Sequence, residues 1–428
     1  MKVSFYTLGC KVNQYESEAM SELFENRGYS IAKPSENPDI LIVNSCTVTA
    51  ESSRKTRQKI HKYRKLYPNC VIVLTGCMSQ AFPEESAKIL EADIILGNTE
   101  YLKIVDICEE FIAEKTRKIS INSHLKGEIF EPLSVSNFSE RTRAYIKIED
   151  GCDRFCSYCI IPTARGRVRS KSLELIKKEA ENLANKGFTE IVLVGINLSD
   201  FGKDTKCELG DAVLAVAEIN GIKRIRLGSL EPDQISERTF TILSNCEKFC
   251  PQFHLSLQSG CDKTLKNMNR HYNSEFYENL VNQIRRYFEN PSITTDIMVG
   301  FAGETEKDFI DSLNFCKKIG FARSHVFAYS IRKGTAAEKL SGHVTNSVKE
   351  SRSRIMIEAM QKCESDFCNS QIGKTVSVLF ETESDSYFEG YSENYTKIKV
   401  KTDENLQGQI LNVKITEAHP NYCIGTIN

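Results

Sequence analysis

Short apolar runs recur along the first third of the chain, each followed by an amphipathic stretch. Val3-Ser-Phe-Tyr-Thr-Leu-Gly9, Ile40-Leu-Ile-Val-Asn-Ser45 and Val71-Ile-Val-Leu-Thr-Gly76 are rich in β-forming residues and too short for helices. Each therefore predicts a buried parallel strand. Helical patterns follow at about 14–26, 51–66 and 83–90, and Asp93-Ile-Ile-Leu-Gly97 reads as a fourth strand. This alternation predicts an open α/β sheet, whose ligands sit at the carboxyl ends of the strands. The first three strands run into Cys10, Cys46 and Cys77 at those ends.

Residues from about 115 to 140 are polar and irregular and read as a linker. From 144 the rhythm restarts, with strands predicted at 144–148, 190–195, 224–227, 253–257, 293–299 and 324–329 and helical patterns between them. Six βα units predict a partial (β/α)6 barrel, with its chemistry at the carboxyl-end face. After about Gly373 the pattern turns all-β: Val376–Phe380, Lys397–Lys401 and Ile410–Ile415 are strand-length, with Gly390 and Gly408 as punctuation. A β segment this short predicts a small barrel of a kind often used to hold RNA. The α/β organisation is thus an N-terminal sheet domain (1–115), a central partial barrel (138–368) and a terminal β-barrel (371–428).

A chain of 428 residues accommodates several cores. Lys and Arg total 56 against 57 Asp and Glu, so bulk charge neither favours nor opposes nucleic acid. Sixteen cysteines would suit a disulfide-rich secreted protein, but Lys11, Asn13, Gln14 and Glu16 arrive too early for a secretory apolar segment. No apolar run is long enough to cross a bilayer. The chain reads as cytoplasmic, with no membrane partner, and its cysteines as reduced thiols available to metal or redox chemistry.

Cys152-Asp-Arg-Phe-Cys156-Ser-Tyr-Cys159 is the densest chemical signal. It opens at the turn Asp150-Gly151, on a loop leaving the first barrel strand. Three thiolates are one short of a closed zinc site and of the usual four-cysteine cluster. The triplet therefore points to a [4Fe-4S] cluster with one iron open. Three buried structural thiols are the plain alternative, but a polar loop with Asp153 and Arg154 is no core pattern. Cys10, Cys46 and Cys77, in equivalent strand-end positions, suggest a second three-thiolate set, whereas Cys70 and Cys108 read as structural.

The C-x3-C-x2-C triplet after the first strand of a partial barrel resembles the radical S-adenosylmethionine superfamily. That resemblance implies S-adenosyl-L-methionine chelated to the open iron of the Cys152, Cys156 and Cys159 cluster and cleaved reductively to an adenosyl radical. The segments Thr7-Leu-Gly-Cys-Lys-Val-Asn-Gln-Tyr-Glu16, Asn44-Ser-Cys-Thr-Val-Thr49 and Thr75-Gly-Cys77 resemble the methylthiotransferase family. So do Arg165-Gly-Arg-Val-Arg-Ser170, Leu257-Gln-Ser-Gly260, Thr294–Gly300 and Lys333-Gly-Thr335, and the last domain is similar to the family's TRAM module. The stretch Gly9–Tyr15 is most similar to the branch acting on N6-threonylcarbamoyladenosine at tRNA position 37. What this implies is methylthio transfer to C2 of that base, two [4Fe-4S] clusters, tRNA as partner and a low-potential electron donor such as flavodoxin or ferredoxin. Cys10, Cys46 and Cys77 would hold the auxiliary cluster. Isopentenyl-adenosine in tRNA and a ribosomal-protein aspartate are the other acceptors familiar in the family. A non-catalytic RNA-binding iron–sulfur protein is the alternative of another class.

Arg54, Lys55, Arg57, Lys59, Lys62, Arg64 and Lys65 lie on the second predicted helix. Beside Arg165, Arg167 and Arg169 they suggest a phosphate track. The terminal domain carries five Lys and no Arg against eight acidic residues, unlike a general polyanion binder. Stacking by Tyr387, Phe388, Tyr391 and Tyr395 is the RNA-binding route open to it, with core roles equally compatible.

Overall fold

The computed structural model describes residues 1–427 apart from 137 and 139–141. Its N-terminal sheet contains β1 (Lys2–Thr7), β2 (Ser30–Ile31), β3 (Ile40–Ser45), β4 (Val71–Gly76), β5 (Ile94–Leu96) and β6 (Lys118–Ser120). All pair in parallel, in the order β2-β1-β3-β4-β5-β6. Alternation sorts the side chains. Ile40, Ile42, Val71 and Val73 join the main core, while Leu41, Val43, Ile72 and Leu74 pack beneath helix Ala50–Leu66 with Ile60. Thr49 caps that helix by accepting from the Ser52 amide.

Two expectations change here. The stretch read as linker supplies β6, which pairs with β5 and lengthens the sheet; residues 137, 139 and 140 of it lie outside the described residues. A polar triplet, Lys118-Ile-Ser120, carries too little apolar signal to be seen alone, and edge pairing supplies what composition does not. The helix expected at 83–90 is shorter, Pro83–Ala87, and a separate helix, Cys77–Ala81, precedes it; Pro83 starts the second one.

The chain then runs through β7 (Ala144–Lys147), the two-residue β8 (Glu149–Asp150) and β9 (Arg169–Ser170), then β10 (Glu190–Val194) and β11 (Arg224–Leu227). It continues with β12 (Ser229–Leu230), β13 (Gln252–Leu255), β14 (Ser292–Val299) and β15 (Arg323–Ala328). Two parallel sheets, β11-β10-β7 and β12-β13-β14-β15, form the partial barrel, and a parallel bridge, Ile225 to Phe249, lies at their junction. All six predicted strands are present. One core runs continuously from Val3 through the barrel strands to Met360 on the helix Asn346–Asn369. The N-terminal sheet is thus packed on the barrel rather than tethered to it.

The terminal unit is a closed barrel of β16 (Thr375–Ser384), β17 (Tyr387–Ser392), β18 (Lys397–Lys401), β19 (Ile410–Ala418) and β20 (Cys423–Ile427). The strands β17 and β20 were not distinguished in the sequence, because Tyr387–Ser392 and Cys423–Ile427 each contain Gly and polar residues that blur the alternation.

Candidate active site at the sheet–barrel interface

Cys10 lies at the N-terminus of helix Lys11–Asn26, Cys46 directly after β3, and Cys77 opens the short helix after β4. Parallel pairing of β1, β3 and β4 brings these three ends together. Asn13 Oδ1 stands 3.7 Å from Cys10 Sγ and 3.9 Å from Cys77 Sγ. A Cβ on Gly9 would lie 3.3 Å from Cys46 Sγ. Gly76, at φ +96°, admits no side chain, since its Cβ would meet Asn44 Oδ1 at 2.4 Å. Burial raises the Cys10 thiol against the opposing pull of Arg165, and pushes Cys77 up to about 12.

In the barrel, β8 pairs with β9 and folds the triplet loop back on itself. The Cys152 amide donates to Gly166 O at 3.1 Å. Gly151, at φ +88°, is pressed so closely against Arg167 that a Cβ would sit 2.0 Å from its carbonyl oxygen. Arg270 Nη1 donates to Cys156 Sγ at 3.3 Å, and Asn197 Nδ2 reaches Cys152 Sγ at 3.8 Å. Arg270 also pairs with Glu231, and Arg154 lies 3.5 Å from the same carboxylate. Burial raises Cys152 and takes Cys159 up to about 12. Buried oxygens of Glu149 and Gln258, at the ends of the strands around this loop, have no partner.

Arg165, which is fully buried, links the segment after the triplet to the N-terminal thiol set. It ends the helix Ile161–Arg165 that follows Cys159. Its Nε donates to Cys77 Sγ at 3.2 Å, Nη2 donates to Asn13 Oδ1 at 2.8 Å and to Glu16 Oε2 at 2.9 Å, and Nη1 reaches Asp150 Oδ2 at 3.3 Å. Lys147 Nζ spans Glu16 at 2.7 Å and Asp150 at 2.6 Å. Burial alone would raise both carboxyls; Arg165 and Lys147 instead hold Glu16 and Asp150 below the usual carboxylate range. Two cations thus serve two buried carboxylates and a thiol.

Among the described residues no three His, Cys, Asp or Glu side chains are set to share one metal ion. A cubane cluster distributes its thiolates over separate irons, so wider-set thiols suit a cluster and not a single zinc ion. Both trios, with cationic or amide N–H donors aimed at sulfur, fit that chemistry.

The phosphate track does not survive intact. Arg165 and Arg169 are buried, the latter donating to the carbonyls of Arg165 and Arg167. Only Arg167 is exposed, and it pairs with Asp153 and stacks on Phe155. On the basic helix, Arg64 is tied to Asp93 and to the carbonyls of Pro68, Cys70 and Glu91, and Arg54 pairs with Glu51. Arg57, Lys62 and Lys65 remain exposed. For Phe388, Tyr391 and Tyr395 the structural role that the sequence left equally open is the one observed, while Tyr387 is half-buried on β17. Phe388 is in the core, while Tyr391 and Tyr395 stack on each other 4.5 Å apart against Arg143. They hold the terminal barrel to the central one, helped by Arg226, which donates to the carbonyls of Ser392 and Glu393.

Family models match along the chain: Uncharacterized protein family UPF0004 over residues 2–97, the Radical SAM superfamily over 146–316 and the TRAM domain over 369–427. A relative from Bacillus subtilis (strain 168), a threonylcarbamoyladenosine tRNA methylthiotransferase, is 35% identical over 97% of this chain and 94% of its own length. The chain belongs to the radical SAM tRNA methylthiotransferase family. A second family member of that description, from Thermotoga maritima, is 38% identical over 92% of this chain and 90% of its own. One from Clostridium perfringens (strain SM101), a tRNA-2-methylthio-N(6)-dimethylallyladenosine synthase, is 34% identical over 98% of this chain and 96% of its own. Among solved structures, the Kitasatospora setae radical S-adenosylmethionine methyltransferase TsrM superposes with a TM-score of 0.58 at 12% identity, covering 85% of this chain and 89% of that one, a likeness of fold alone. As radical SAM methylthiotransferases, family members work with S-adenosylmethionine and a [4Fe-4S] cluster on tRNA.

The spacing of cysteines identified both thiol sets but not their surroundings. As partners of the thiol sets Glu16, Asp150, Lys147 and Arg270 were missed, whereas Asn197 stands among the strand-end residues of the barrel's carboxyl-end face. Asn13 and Glu16, three residues apart and so neighbours on the helix that Cys10 precedes, were the available signal.

Proposed function

We propose that this chain adds a methylthio group to C2 of N6-threonylcarbamoyladenosine at tRNA position 37. In this reading Cys152, Cys156 and Cys159 hold the cluster that binds S-adenosylmethionine, and Cys10, Cys46 and Cys77 hold an auxiliary [4Fe-4S] cluster. When bound, these groups supply the reducing electron, the hydrogen-abstracting radical and the sulfur. The observation that carries the reading is Arg165, which follows the triplet in sequence and donates to Cys77 in space. It joins the helix after the triplet to the N-terminal trio, which supports a reading in which both sites serve one acceptor base.

The chain's own residues then have definable tasks. Arg165 and Lys147 neutralise Glu16 and Asp150, so the interface stays closed around two thiol sets without a net buried charge of one sign. Arg270 and Asn197 direct N–H donors at the triplet sulfurs and so orient Cys156 and Cys152. Arg332, donating to Thr47 Oγ1 at 2.6 Å, ties the last barrel loop to the segment after Cys46. The threonylcarbamoyl acceptor is supported by the relatives from B. subtilis and T. maritima and by the Gly9–Tyr15 stretch. The unit boundaries 1–115, 138–368 and 371–428, a cytoplasmic location and a flavodoxin- or ferredoxin-type donor belong to the same reading. No helix among the described residues is long and apolar enough to cross a membrane.

Anaerobically reconstituted enzyme, given S-adenosylmethionine, a reductant and an anticodon stem-loop bearing threonylcarbamoyladenosine, should yield the 2-methylthio nucleoside by mass spectrometry. Formation of 5′-deoxyadenosine with modification only of isopentenyl-adenosine RNA would reject the acceptor assignment.

A further inference from the structure

One loop touches both thiol-bearing segments. Just after β15, Ser330 Oγ accepts from the Ala50 amide at 3.2 Å, and Arg332 donates to Ser53 Oγ at 3.2 Å beside its bond to Thr47. Further along the same loop, the Ala337 amide donates to Ser157 O of the triplet at 2.7 Å. Two large apolar side chains stand open to solvent at the first of these contacts. Val48, two residues past Cys46, is 57% exposed, and Ile331 is 44% exposed. Neither joins an apolar cluster among the described residues.

The helix Ala50–Leu66 begins at the same place. It connects the parallel strands β3 and β4, so it runs back from the strand ends that carry the cysteines and finishes about 25 Å away. Its buried face is Ser53, Thr56 and Ile60. On the opposite face the 3.6-residue repeat aligns Arg54, Arg57 and Lys65 in one stripe and Lys55 and Lys62 in the next. These five cations are exposed beside one exposed acid, Glu51, which Arg54 and Lys55 already flank at 2.6 and 4.0 Å. Among the described residues Arg57, Lys62 and Lys65 have no ion pair or side-chain hydrogen bond. Lys333, 77% exposed, adds a cation on the loop itself.

We propose that this surface grips the anticodon stem-loop, with Val48 and Ile331 against the bases flanking the acceptor and Arg57, Lys62 and Lys65 on phosphates of the stem. The proposal rests on tRNA being the acceptor. A base modified by buried groups must leave its stack, and the neighbours it leaves present bare faces that suit apolar side chains. A row of free cations leading about 25 Å from that point matches a continuous phosphate backbone. An acidic electron-transfer protein also suits cations, but its electron is needed at the triplet, whereas this row begins beside the segment after Cys46 and leads away from it.

The test measures binding of an anticodon stem-loop bearing threonylcarbamoyladenosine to anaerobically reconstituted holoenzyme across a salt series. In the triple variant Arg57→Gln, Lys62→Gln, Lys65→Gln the slope of log Kd against log salt should fall by about two to three, with binding about 10-fold or more weaker at low salt. A control of equal charge change at the outer barrel helix Leu173–Asn185, Lys177→Gln, Lys178→Gln, Lys186→Gln, should keep the wild-type slope. Ile331→Ser should weaken binding several-fold at an unchanged slope. All three variants should retain wild-type iron content and dithionite-driven 5′-deoxyadenosine formation without RNA, so that a change in Kd reads RNA contact alone. A triple variant that binds like wild type, or a control that loses as much, overturns the proposal. So does a triple variant that binds RNA normally and fails only when a reduced flavodoxin-type protein replaces dithionite, since the surface then belongs to the donor. Wild type that binds no stem-loop at any salt overturns the tRNA reading as well.

Discussion

The two thiol sites are built in opposite ways. The barrel triplet lies on one loop of eight residues, 152–159, so its geometry is set locally by Gly151 and the β8–β9 turn. The N-terminal trio comes from three strands, and its geometry exists only when the sheet has formed and Arg165 has arrived from the barrel. A local site keeps its shape without help from the rest of the fold. A site assembled from several strands and a neighbouring helix depends on docking and, here, on the charge compensation around Arg165. That difference suits one site that binds and cleaves a cosubstrate and another that retains sulfur beside the acceptor.

The sharpest way to break the comparison is to remove one thiol from each site. Cys156→Ala should abolish 5′-deoxyadenosine formation, whereas Cys46→Ala should leave it and stop methylthiolation. An active Cys46→Ala enzyme would make the two sites redundant or the second one structural. Next in size is the interface. Arg165→Gln leaves Glu16 and Asp150 short of a buried partner and should cost about 3–5 kcal/mol in denaturant unfolding. Arg167→Gln, two residues on and exposed, should change stability by less than about 0.5 kcal/mol. Gly151→Ala forces a Cβ against a backbone carbonyl at positive φ and should cost about 1–3 kcal/mol. Its iron loss should be confined to the triplet, which electron paramagnetic resonance would separate from the other signal. Smaller than the loss at Gly151 is that of Tyr395→Ala, which removes the ring under Arg143 and Arg226 and should cost about 1–2 kcal/mol. It should appear chiefly as faster proteolytic release of the terminal barrel.

The same local–distributed contrast decides what could be read from the chain. The triplet's spacing and the strand-end cysteines are one-dimensional signals, and β1, β3, β4 and the six barrel strands are apolar enough to announce themselves. Arg165 and Arg169 mislead for a physical reason: an arginine looks the same whether it faces solvent or closes a buried network, and only the fold supplies Glu16 and Asp150. Tyr391 and Tyr395 are ambiguous similarly, since an aromatic pair on a small barrel can stack on a base or on Arg143. The edge strand β6 depends on its neighbour rather than on its own composition.

Iron and acid-labile sulfide per chain after anaerobic reconstitution test the two-site account most directly. Wild type should hold two [4Fe-4S] equivalents, with Cys46→Ala and Cys156→Ala each holding one. A single cluster in wild type, unchanged in Cys46→Ala and lost in Cys156→Ala, would contradict it.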